Sequence, residues 1–350
     1  MNRHADKIAV GVLGATGSVG QKFIQLLQNH PYFEVTEVAA SPRSAGRPYG
    51  QVVQWTLPGN IPKEAARLKL KECQPDLQCA FLFSGLDASV AGTIETDFAR
   101  AGYTVVSNAK NHRFDADVPL MIPEVNADHL QLMHQQSYGT GKIITNPNCS
   151  TIGMVLALKP LMDAFGLQQV NAVTMQAISG AGFSGLAAAS ITDNVIPYIK
   201  GEEEKLETEP LKILGQLNGG KIDEASINIS ARCNRVPVID GHLESIQVAL
   251  QNKPQKKDLI ECWTTFAGEP QRLKLPSAPL QPLYYFAEPH YPQPRLHRDI
   301  EQGMAVAIGG LRTCNLFDFK FNVLSHNTVR GAAGGAILCA ELMKAKGYLQ

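Results

Sequence analysis

Cys149 is the residue whose type and position most clearly suggest chemistry. It stands in Asn-Pro-Asn-Cys-Ser-Thr, at residues 146–151, just before a segment over 152–165 that predicts a helix. Asn148 is a favourable N-cap, and the first helical turn places unpaired backbone N–H groups and the positive end of the helix dipole near the sulfur. Both favour a thiolate, and the same N–H groups could hold an oxyanion. The alternative is a buried packing cysteine, the commoner fate of a free Cys.

A second stretch offers the partners that a thiolate enzyme requires. Residues 232–242 read Arg-Cys-Asn-Arg-Val-Pro-Val-Ile-Asp-Gly-His. His242 could serve as an acid or base within hydrogen-bond reach of a nucleophile, and Arg235 as a planar clamp for a substrate carboxylate. In one regular strand their spacing would place them on opposite faces, but Pro237 and Gly241 interrupt the strand, so both could reach one cavity. A structural or surface role is the alternative for a lone histidine.

Two further segments between these motifs carry polar or flexible residues. A strand predicted over 170–177 includes Gln176 and is followed by Ser-Gly-Ala-Gly at 179–182, where Ser179 and Gly180 allow close backbone approach to a ligand. Residues 201–214 form a charged stretch that begins Gly-Glu-Glu-Glu-Lys. Such a stretch is usually a solvated helix face, and it would contribute to function only if a site faces it.

The N-terminal region predicts a nucleotide-binding turn. An apolar strand at residues 8–13 leads into Gly-Ala-Thr-Gly-Ser-Val-Gly at 14–20, and a helical pattern follows to residue 29. This is a variant of the dinucleotide fingerprint, in which glycines let the backbone approach a pyrophosphate at a helix N-terminus. The candidate cofactor-binding residues are Gly14, Thr16, Gly17, Ser18 and Val19. A glycine-rich turn without a ligand is the alternative.

The residues that follow the second predicted strand indicate which cofactor is bound. An NAD site would place an acidic residue at the end of this strand, residues 33–40, but the chain continues Ser41-Pro42-Arg43-Ser44. Hydroxyl and guanidinium groups there suit a 2′-phosphate, so Ser41, Arg43 and Ser44 indicate NADP, with a solvated basic turn as the alternative. Ser84 ends another predicted buried strand, at 80–85, where ligand contacts are common in doubly wound sheets.

Composition limits the remaining classes of function. The chain has 350 residues, of which 44% are hydrophobic and 18% charged, and 32 Lys plus Arg balance 32 Asp plus Glu. A net charge of zero gives no electrostatic basis for binding nucleic acid or a membrane surface, so small-molecule chemistry is favoured.

The cysteines and the hydropathy pattern suggest where the protein works. Seven scattered cysteines without a Cys-x-x-Cys pair argue against a disulfide framework and against a metal site. No apolar run approaches the roughly 20 residues that a membrane span needs. We therefore expect a soluble, cytoplasmic protein.

Taken together, these motifs resemble the aspartate-β-semialdehyde dehydrogenase family over nearly the whole chain. The shared stretches are Gly-Ala-Thr-Gly-Ser-Val-Gly, Asn-Pro-Asn-Cys-Ser-Thr, Ser-Gly-Ala-Gly, and Arg-Val-Pro-Val followed by Gly-His. The Val-Pro-Val-x-x-Gly-His form resembles the archaeal and fungal branch of that family.

The resemblance implies a role for each matching residue. It implies that Cys149 is the acyl-accepting nucleophile, His242 the acid/base, Gln176 a substrate-orienting residue and Arg235 the holder of the substrate carboxylate. It also implies a phosphate site at Arg113 and Lys205, an acidic substrate contact at Glu203 or its neighbour Glu202, and a position near the nicotinamide for Asn327, for which a structural role is the alternative.

The implied fold is α/β, with a Rossmann-like doubly wound sheet at residues 1–148 and an α+β catalytic and dimerisation domain at 149–326. Strands are predicted at 171–176, 226–230, 244–250 and 304–311. A last helix, at 327–347, is predicted to pack back on the first domain. Residues 268–298, which are rich in proline, are predicted to form an irregular loop or lobe near a subunit interface.

The implied reaction is the NADPH-dependent reductive dephosphorylation of L-β-aspartyl phosphate to L-aspartate 4-semialdehyde through a cysteine thioester. This step serves lysine, threonine and methionine biosynthesis, and the resemblance implies homodimers or homotetramers. Two alternatives remain: an acyl-thioester reductase similar to malonyl-CoA reductase, and a non-catalytic NADP-binding sensor.

Overall fold

The computed structural model describes residues 7–182 and 185–349, and the chain divides into two compact units. Unit 1 contains the described residues up to Met121, then Asp128–Asn146 and the chain from Ala336 onward. Unit 2 contains Ile122–Ala127 and Pro147–Gly335. The chain passes from unit 1 to unit 2 between Asn146 and Pro147.

Unit 1 is built on a six-stranded sheet in the order β3-β2-β1-β4-β5-β6, and every neighbouring pair is parallel. The strands are β1 (Ile8–Leu13), β2 (Phe33–Ala40), β3 (Leu70–Glu72), β4 (Phe81–Ser84), β5 (Thr104–Ser107) and β6 (Lys142–Thr145). The helices are α1 (Ser18–Leu26), α2 (Tyr49–Val52), α3 (Lys63–Arg67) and α4 (Ala88–Arg100), with 3-10 helices at Pro42–Ser44 and Ala127–Gln135. This confirms the predicted Rossmann-like sheet.

The strand order of unit 1 reverses between β1 and β4, and ligands of open α/β sheets bind at the carboxyl ends of strands beside such a reversal. Apolar runs explain the buried centre of this sheet: β4 is buried along its whole length, and Val12 and Leu13 of β1 are fully buried. The glycine turn after β1 therefore lies where a cofactor is expected.

Unit 2 is built on a seven-stranded mixed sheet in the order β13-β14-β15-β12-β7-β11-β8, and it has a separate two-stranded hairpin, β9-β10. The strands are β7 (Leu167–Gln176), β8 (Ile196–Pro197), β9 (Gln216–Asn218), β10 (Lys221–Asp223), β11 (Asn228–Arg235), β12 (His242–Leu250), β13 (Leu283–Phe286), β14 (Val306–Thr313) and β15 (Phe319–Ser325). The helices are α5 (Cys149–Phe165), α6 (Ala188–Ile191), α7 (Glu202–Ile213), α8 (Lys256–Thr265), α9 (Glu269–Arg272) and α10 (Pro294–His297), with 3-10 helices at Ile178–Ala181 and Ile300–Gly303.

Helix α5 is the central helix of unit 2 and is buried for most of its length. It packs on β7, β12 and β15, while α7 packs on β11. Trp263 of α8 is fully buried and donates from its indole N–H to the Ala157 carbonyl of α5 at 2.9 Å. These contacts hold the amino end of α5 over one face of the sheet.

The proline-rich segment 268–298 is more ordered than the sequence predicted. Leu283–Phe286 forms β13, which pairs in parallel with β14 at the edge of the sheet, and α9 and α10 flank it. The prediction of an irregular loop was wrong at these elements. Prolines flank the apolar Leu-Tyr-Tyr-Phe stretch, so the sequence did not predict a strand there, although an edge strand tolerates nearby proline.

The last helix begins with a π-helical turn, Val329–Ala333, and continues as α11 (Gly334–Ala345). From Ala336 onward it belongs to unit 1, where Glu341 pairs with the buried His30 at 2.7 Å and the Lys344 ammonium lies 4.7 Å from the centroid of the Tyr32 ring. Within the described residues, no helix is both long and apolar enough to cross a bilayer.

Candidate active site

Cys149 is the first residue of α5, and its N-cap is Asn148, as predicted. The Asn148 carboxamide oxygen accepts from the backbone N–H groups of Ser150 at 3.0 Å and Thr151 at 3.4 Å. These two N–H groups are therefore engaged by the cap. The expectation that they would bind an oxyanion requires revision, and other donors must take that part.

Asn148 is itself held by two glutamates of α7. Its backbone N–H donates to Glu209 at 2.7 Å, and its side-chain amide donates to Glu202 at 2.9 Å. Glu209 is fully buried. Helix α7 therefore fixes the residue that caps the nucleophile helix.

The sulfur of Cys149 lies 3.2 Å from Nε2 of His242, a fully buried residue at the start of β12. The other ring nitrogen, Nδ1, accepts the backbone N–H of Ala177 at 3.0 Å. Burial, and next the charge of Arg235, lower the pKa of His242 to about 3. The imidazole is therefore neutral, and because Nδ1 is an acceptor, its single proton is on Nε2 and is donated to the sulfur.

Strand register explains how distant residues of the sequence meet here. Arg235 ends β11 and His242 starts β12, and these strands flank β7 on either side. The two side chains therefore share a face despite their odd spacing, as the interruption by Pro237 and Gly241 suggested. The row next to the nucleophile holds Arg235, Gln176, His242 and Ser325; the second row holds Cys233, Thr174, Glu244 and Val323; the third holds Ala231, Ala172, Ile246 and Phe321.

Ala177 links the histidine to the arginine through its backbone. Its carbonyl accepts from Arg235 Nη1 at 2.7 Å, while its N–H binds His242. Gly180 lies against the same pair: a Cβ there would fall 2.8 Å from Arg235 Nη1 and 3.1 Å from His242 Cε1. Residue 180 thus packs closely against this pair, and Ala177 has a role that no side-chain motif could reveal.

Gln176 and Lys205 converge on Glu202. The Gln176 amide donates to Glu202 at 3.3 Å and Lys205 donates at 2.6 Å. Burial alone would raise the pKa of Glu202, but the charge and hydrogen bond of Lys205 and the amides of Asn148 and Gln176 lower that pKa below its usual value. Glu202 is therefore an ionised carboxylate at the edge of the site.

Glu203, the other of the two acidic candidates from the sequence, points elsewhere. Its carboxylate accepts from the Cys233 backbone N–H at 3.2 Å and lies 3.9 Å from Arg232. The structure brings Glu202, and not Glu203, to the side chains around Cys149, because consecutive residues of a helix point about 100° apart.

The side chains of Ser179 and Asn327 are hydrogen-bonded to each other. The Asn327 amide donates to the Ser179 hydroxyl at 2.8 Å, and its carbonyl oxygen accepts the Gly241 N–H at 2.9 Å. Asn327 thus holds Gly241, the residue before His242, and also Ser179, in the turn that carries Gly180.

Glu244 is a further polar residue in the site region that sequence reasoning missed. It is fully buried in the second row, on the same face of β12 as His242, and neither carboxyl oxygen has a hydrogen-bond partner among the described residues. Burial raises the pKa of Glu244 well above its usual value. The alternation His-x-Glu in a strand was the available signal.

The glycine turn of unit 1 fits a dinucleotide. Gly14 has φ +69°, and a Cβ there would fall 2.7 Å from the carbonyl oxygen of Gly85, which follows β4. Gly17 is the N-cap of α1, whose first turn has no acidic residue, and Thr16, Ser18 and Val19 are partly exposed beside it. A helix N-terminus of this kind, at the reversal of strand order, can receive a pyrophosphate.

The other predicted cofactor residues of unit 1 fall into two groups. Ser41 and Arg43 are exposed after β2, with Ser44 partly exposed, and β2 ends in two alanines with no carboxylate, which suits a 2′-phosphate. Ser84, by contrast, is fully buried, and its hydroxyl donates to Glu95 at 2.6 Å. The side chain of Ser84 is therefore engaged within the protein.

Arg113 is a buried residue of unit 1 whose guanidinium donates to the Asn108 carbonyl at 2.8 Å.

All seven cysteines lie in the described part of the chain and are free thiols. Over residues 7–182 and 185–349 no group of three or more His, Cys, Asp or Glu side chains is arranged to hold a metal ion.

Comparison with known proteins identifies two matching domain families. Residues 9–133 match the semialdehyde dehydrogenase NAD binding domain, and residues 158–330 match the semialdehyde dehydrogenase dimerisation domain. The chain is 48% identical over 343 residues to the aspartate-semialdehyde dehydrogenase of Methanothermobacter thermautotrophicus, covering 96% of this chain and 99% of that protein. It is 47% identical to that of Schizosaccharomyces pombe, covering 97% and 99%.

A solved structure also matches the whole chain. The aspartate-semialdehyde dehydrogenase of Candida albicans, crystallised with NADP, superposes with a TM-score of 0.91 at 44% identity, covering 98% of this chain and all of that one. These similarities agree with the archaeal and fungal resemblance seen in the sequence motifs.

Proposed function

Because the chain belongs to the aspartate-semialdehyde dehydrogenase family, we propose that it reduces L-β-aspartyl phosphate to L-aspartate 4-semialdehyde and phosphate with NADPH, reversibly. The observation that carries this proposal is the Cys149 thiol 3.2 Å from a neutral His242 Nε2–H, in the same row as the buried Arg235. A nucleophile, a donor to it and a carboxylate clamp are the groups that acyl transfer from a carboxylate substrate needs.

In the first half of the reaction, the thiolate of Cys149 attacks the acyl carbon of the acyl phosphate, the acyl C–O bond breaks, and a thioester forms; phosphate leaves and takes up the proton that the thiol lost. Arg235 fixes the substrate α-carboxylate through its planar guanidinium, and the Glu202 carboxylate accepts from the α-ammonium. Lys205 and Arg113 bind the phosphate, as the family resemblance implies. The Nε2–H of His242 takes the place of the capped helix N–H groups as a donor to the oxyanion.

The glycine turn at Gly14, Thr16 and Gly17 would hold NADPH, and the bound cofactor would supply the hydride needed to reduce the thioester. The tetrahedral alkoxide that results collapses to the aldehyde by expelling the Cys149 thiolate. Because Nδ1 accepts the Ala177 N–H, His242 keeps its single proton on Nε2 and donates a hydrogen bond to whichever atom, oxygen or sulfur, bears the negative charge.

A phosphate-dependent assay tests this function. Purified protein is supplied with L-aspartate 4-semialdehyde, NADP and phosphate, and NADPH absorbance is followed. We expect turnover that requires phosphate, and loss of most turnover in Cys149→Ser with NADPH affinity retained. Cys314→Ser, which removes a thiol distant in sequence and outside the site cluster, is the control and should be fully active.

The same assay separates the alternatives. Activity with malonyl-CoA and none with aspartate semialdehyde would select an acyl-thioester reductase, and NADPH binding without activity on either would select a sensor.

The match of residues 158–330 to a dimerisation domain supports assembly into a homodimer or homotetramer. Light scattering coupled to size-exclusion chromatography measures the number of chains in the assembly.

A further inference from the structure

One short segment, residues 326–333, contacts Cys149 and also Gly241, the residue that precedes His242. Gly331 lies against the nucleophile, since a Cβ there would fall 2.7 Å from the Cys149 Cβ and 2.9 Å from its Cα. Asn327 accepts the N–H of Gly241, the residue before His242, at 2.9 Å. The position of this segment therefore affects the distance between the sulfur and the imidazole.

The backbone of this segment is not an ordinary α-helix. The Gly331 N–H donates to the His326 carbonyl at 3.0 Å, and the Ala333 N–H donates to the Thr328 carbonyl at 3.3 Å. Both bonds span five residues, which defines a π-helical turn. Such turns are rare and occur frequently at functional sites. A turn of this kind depends on surrounding contacts to stay in place.

Arg330, inside the turn, provides such a contact. Its guanidinium donates to both oxygens of Glu124, at 2.8 and 2.5 Å. Both side chains are almost completely buried, with 1% and 0% of their surface exposed. A buried ion pair loses much of its attraction to desolvation and is weak evidence for stability, but a planar two-bond pair permits one geometry only.

We propose that Arg330 and Glu124 are positioning residues of the active site: their ion pair fixes the π-turn, and the turn sets Cys149 and His242 at hydrogen-bond distance. The proposal rests on the proposed function only in taking Cys149 as the nucleophile. Neither residue touches substrate. Their effect passes through Gly331 to the nucleophile, and through Asn327 to the histidine.

The test uses the double variant Arg330→Met/Glu124→Leu, which removes both charges and leaves no unpaired ion. We measure the thermal midpoint, the rate at which iodoacetamide alkylates Cys149 at neutral pH, followed by mass spectrometry, and kcat and KM for aspartate semialdehyde. We expect a folded protein with alkylation slowed about tenfold or more, kcat reduced on the order of 100-fold, and KM within about threefold. Wild-type alkylation and kcat in the folded double variant would overturn the proposal.

Glu341→Gln is the matched control, because it breaks another buried pair, with His30 in unit 1. It should lower the thermal midpoint while Cys149 alkylates at the wild-type rate. Equal slowing in this control would show a general effect of instability and would also overturn the proposal. If the double variant does not fold, Arg330→Lys decides, since lysine keeps the charge but cannot form the two-bond pair: slower alkylation supports the proposal and wild-type alkylation refutes it.

A pair of glycine variants tests the turn itself. Gly331→Ala places a methyl group against Cys149 and should slow alkylation as the double variant does. Gly92→Ala, in α4 of unit 1, would meet the Asn111 side chain at 3.0 Å and not Cys149 or the π-turn, so it should alkylate at the wild-type rate. If both glycine variants behave alike, contact with Gly331 does not set the nucleophile. Alkylation needs neither substrate nor cofactor, so a failed phosphate-dependent assay would refute the proposed function and leave this result standing.

Discussion

Replacing Glu244 with glutamine should shift the stability of the protein relative to wild type in the favourable direction as pH rises. The Glu244 carboxyl is fully buried without a hydrogen-bond partner among the described residues, and burial raises its pKa well above the usual 4.5. In the unfolded chain the same group ionises near that usual value. Between the two pKa values the folded state keeps a proton that the unfolded state releases, so wild-type stability falls as pH rises.

The size of this effect follows from proton linkage. One proton of difference between the two states changes the free energy of unfolding by about 1.4 kcal/mol per pH unit. Each kcal/mol shifts the thermal midpoint by about 2 to 4 °C for a domain of about 150 to 250 residues. The gap between Glu244→Gln and wild type should therefore change in favour of the variant by about 3 to 6 °C for each pH unit between roughly 5 and the raised pKa of the folded protein. The amide has its own cost of burial, but that cost does not depend on pH.

Scanning calorimetry of both proteins near pH 5, 6 and 7 measures the gap. Glu261→Gln, at an exposed position on α8, is the control and should give no widening. A gap that stays constant across these pH values would refute the reasoning, because it would mean that Glu244 is ionised in the folded protein or already ionises at its unfolded pKa.

Three further predictions concern the site. Glu202→Gln should raise KM for aspartate semialdehyde about tenfold or more through loss of a charge-assisted hydrogen bond, while Glu203→Gln stays within about threefold in the same steady-state assay. Arg235→Lys should lower kcat/KM by about 10- to 100-fold, with NADPH affinity measured by fluorescence unchanged, because an ammonium cannot form the planar clamp. Nitrogen-15 NMR should find His242 neutral with its proton on Nε2 between about pH 5 and 8, since its pKa is lowered to about 3; an imidazolium in that range would contradict the bond from Ala177.

Features set by neighbouring residues were predictable from the sequence. Asn148 caps α5 and Cys149 begins it because side-chain capping is a local interaction that leaves a local pattern. The strand, glycine turn and helix at the N-terminus could be identified for the same reason, since Gly14 occupies a backbone conformation that favours glycine. These two local patterns identified Cys149 as the candidate nucleophile and the glycine turn as the candidate cofactor site.

Features set by packing between distant elements were not predictable. Which of Glu202 and Glu203 faces the site depends on the orientation of α7 about its own axis as it packs on β11. A run of three glutamates does not predict that orientation. Ala177 acts through its backbone N–H and carbonyl, which every residue but proline has. Glu244 became significant only when strand register placed it in the row beneath His242.

The electrostatics of the site explain why its geometry must be held so firmly. His242 is neutral, so it does not supply a positive charge to balance a thiolate; Arg235 is the nearby cation, and it interacts electrostatically with Cys149. When a substrate carboxylate binds Arg235, that positive charge is shared with the substrate. The thiolate then depends on dipoles, namely the Nε2–H and the amino end of α5. A hydrogen bond weakens steeply with distance and angle, whereas a charge acts over a longer range. A nucleophile supported by dipoles therefore needs a rigid frame, which is the role we assign to the π-turn and its buried ion pair.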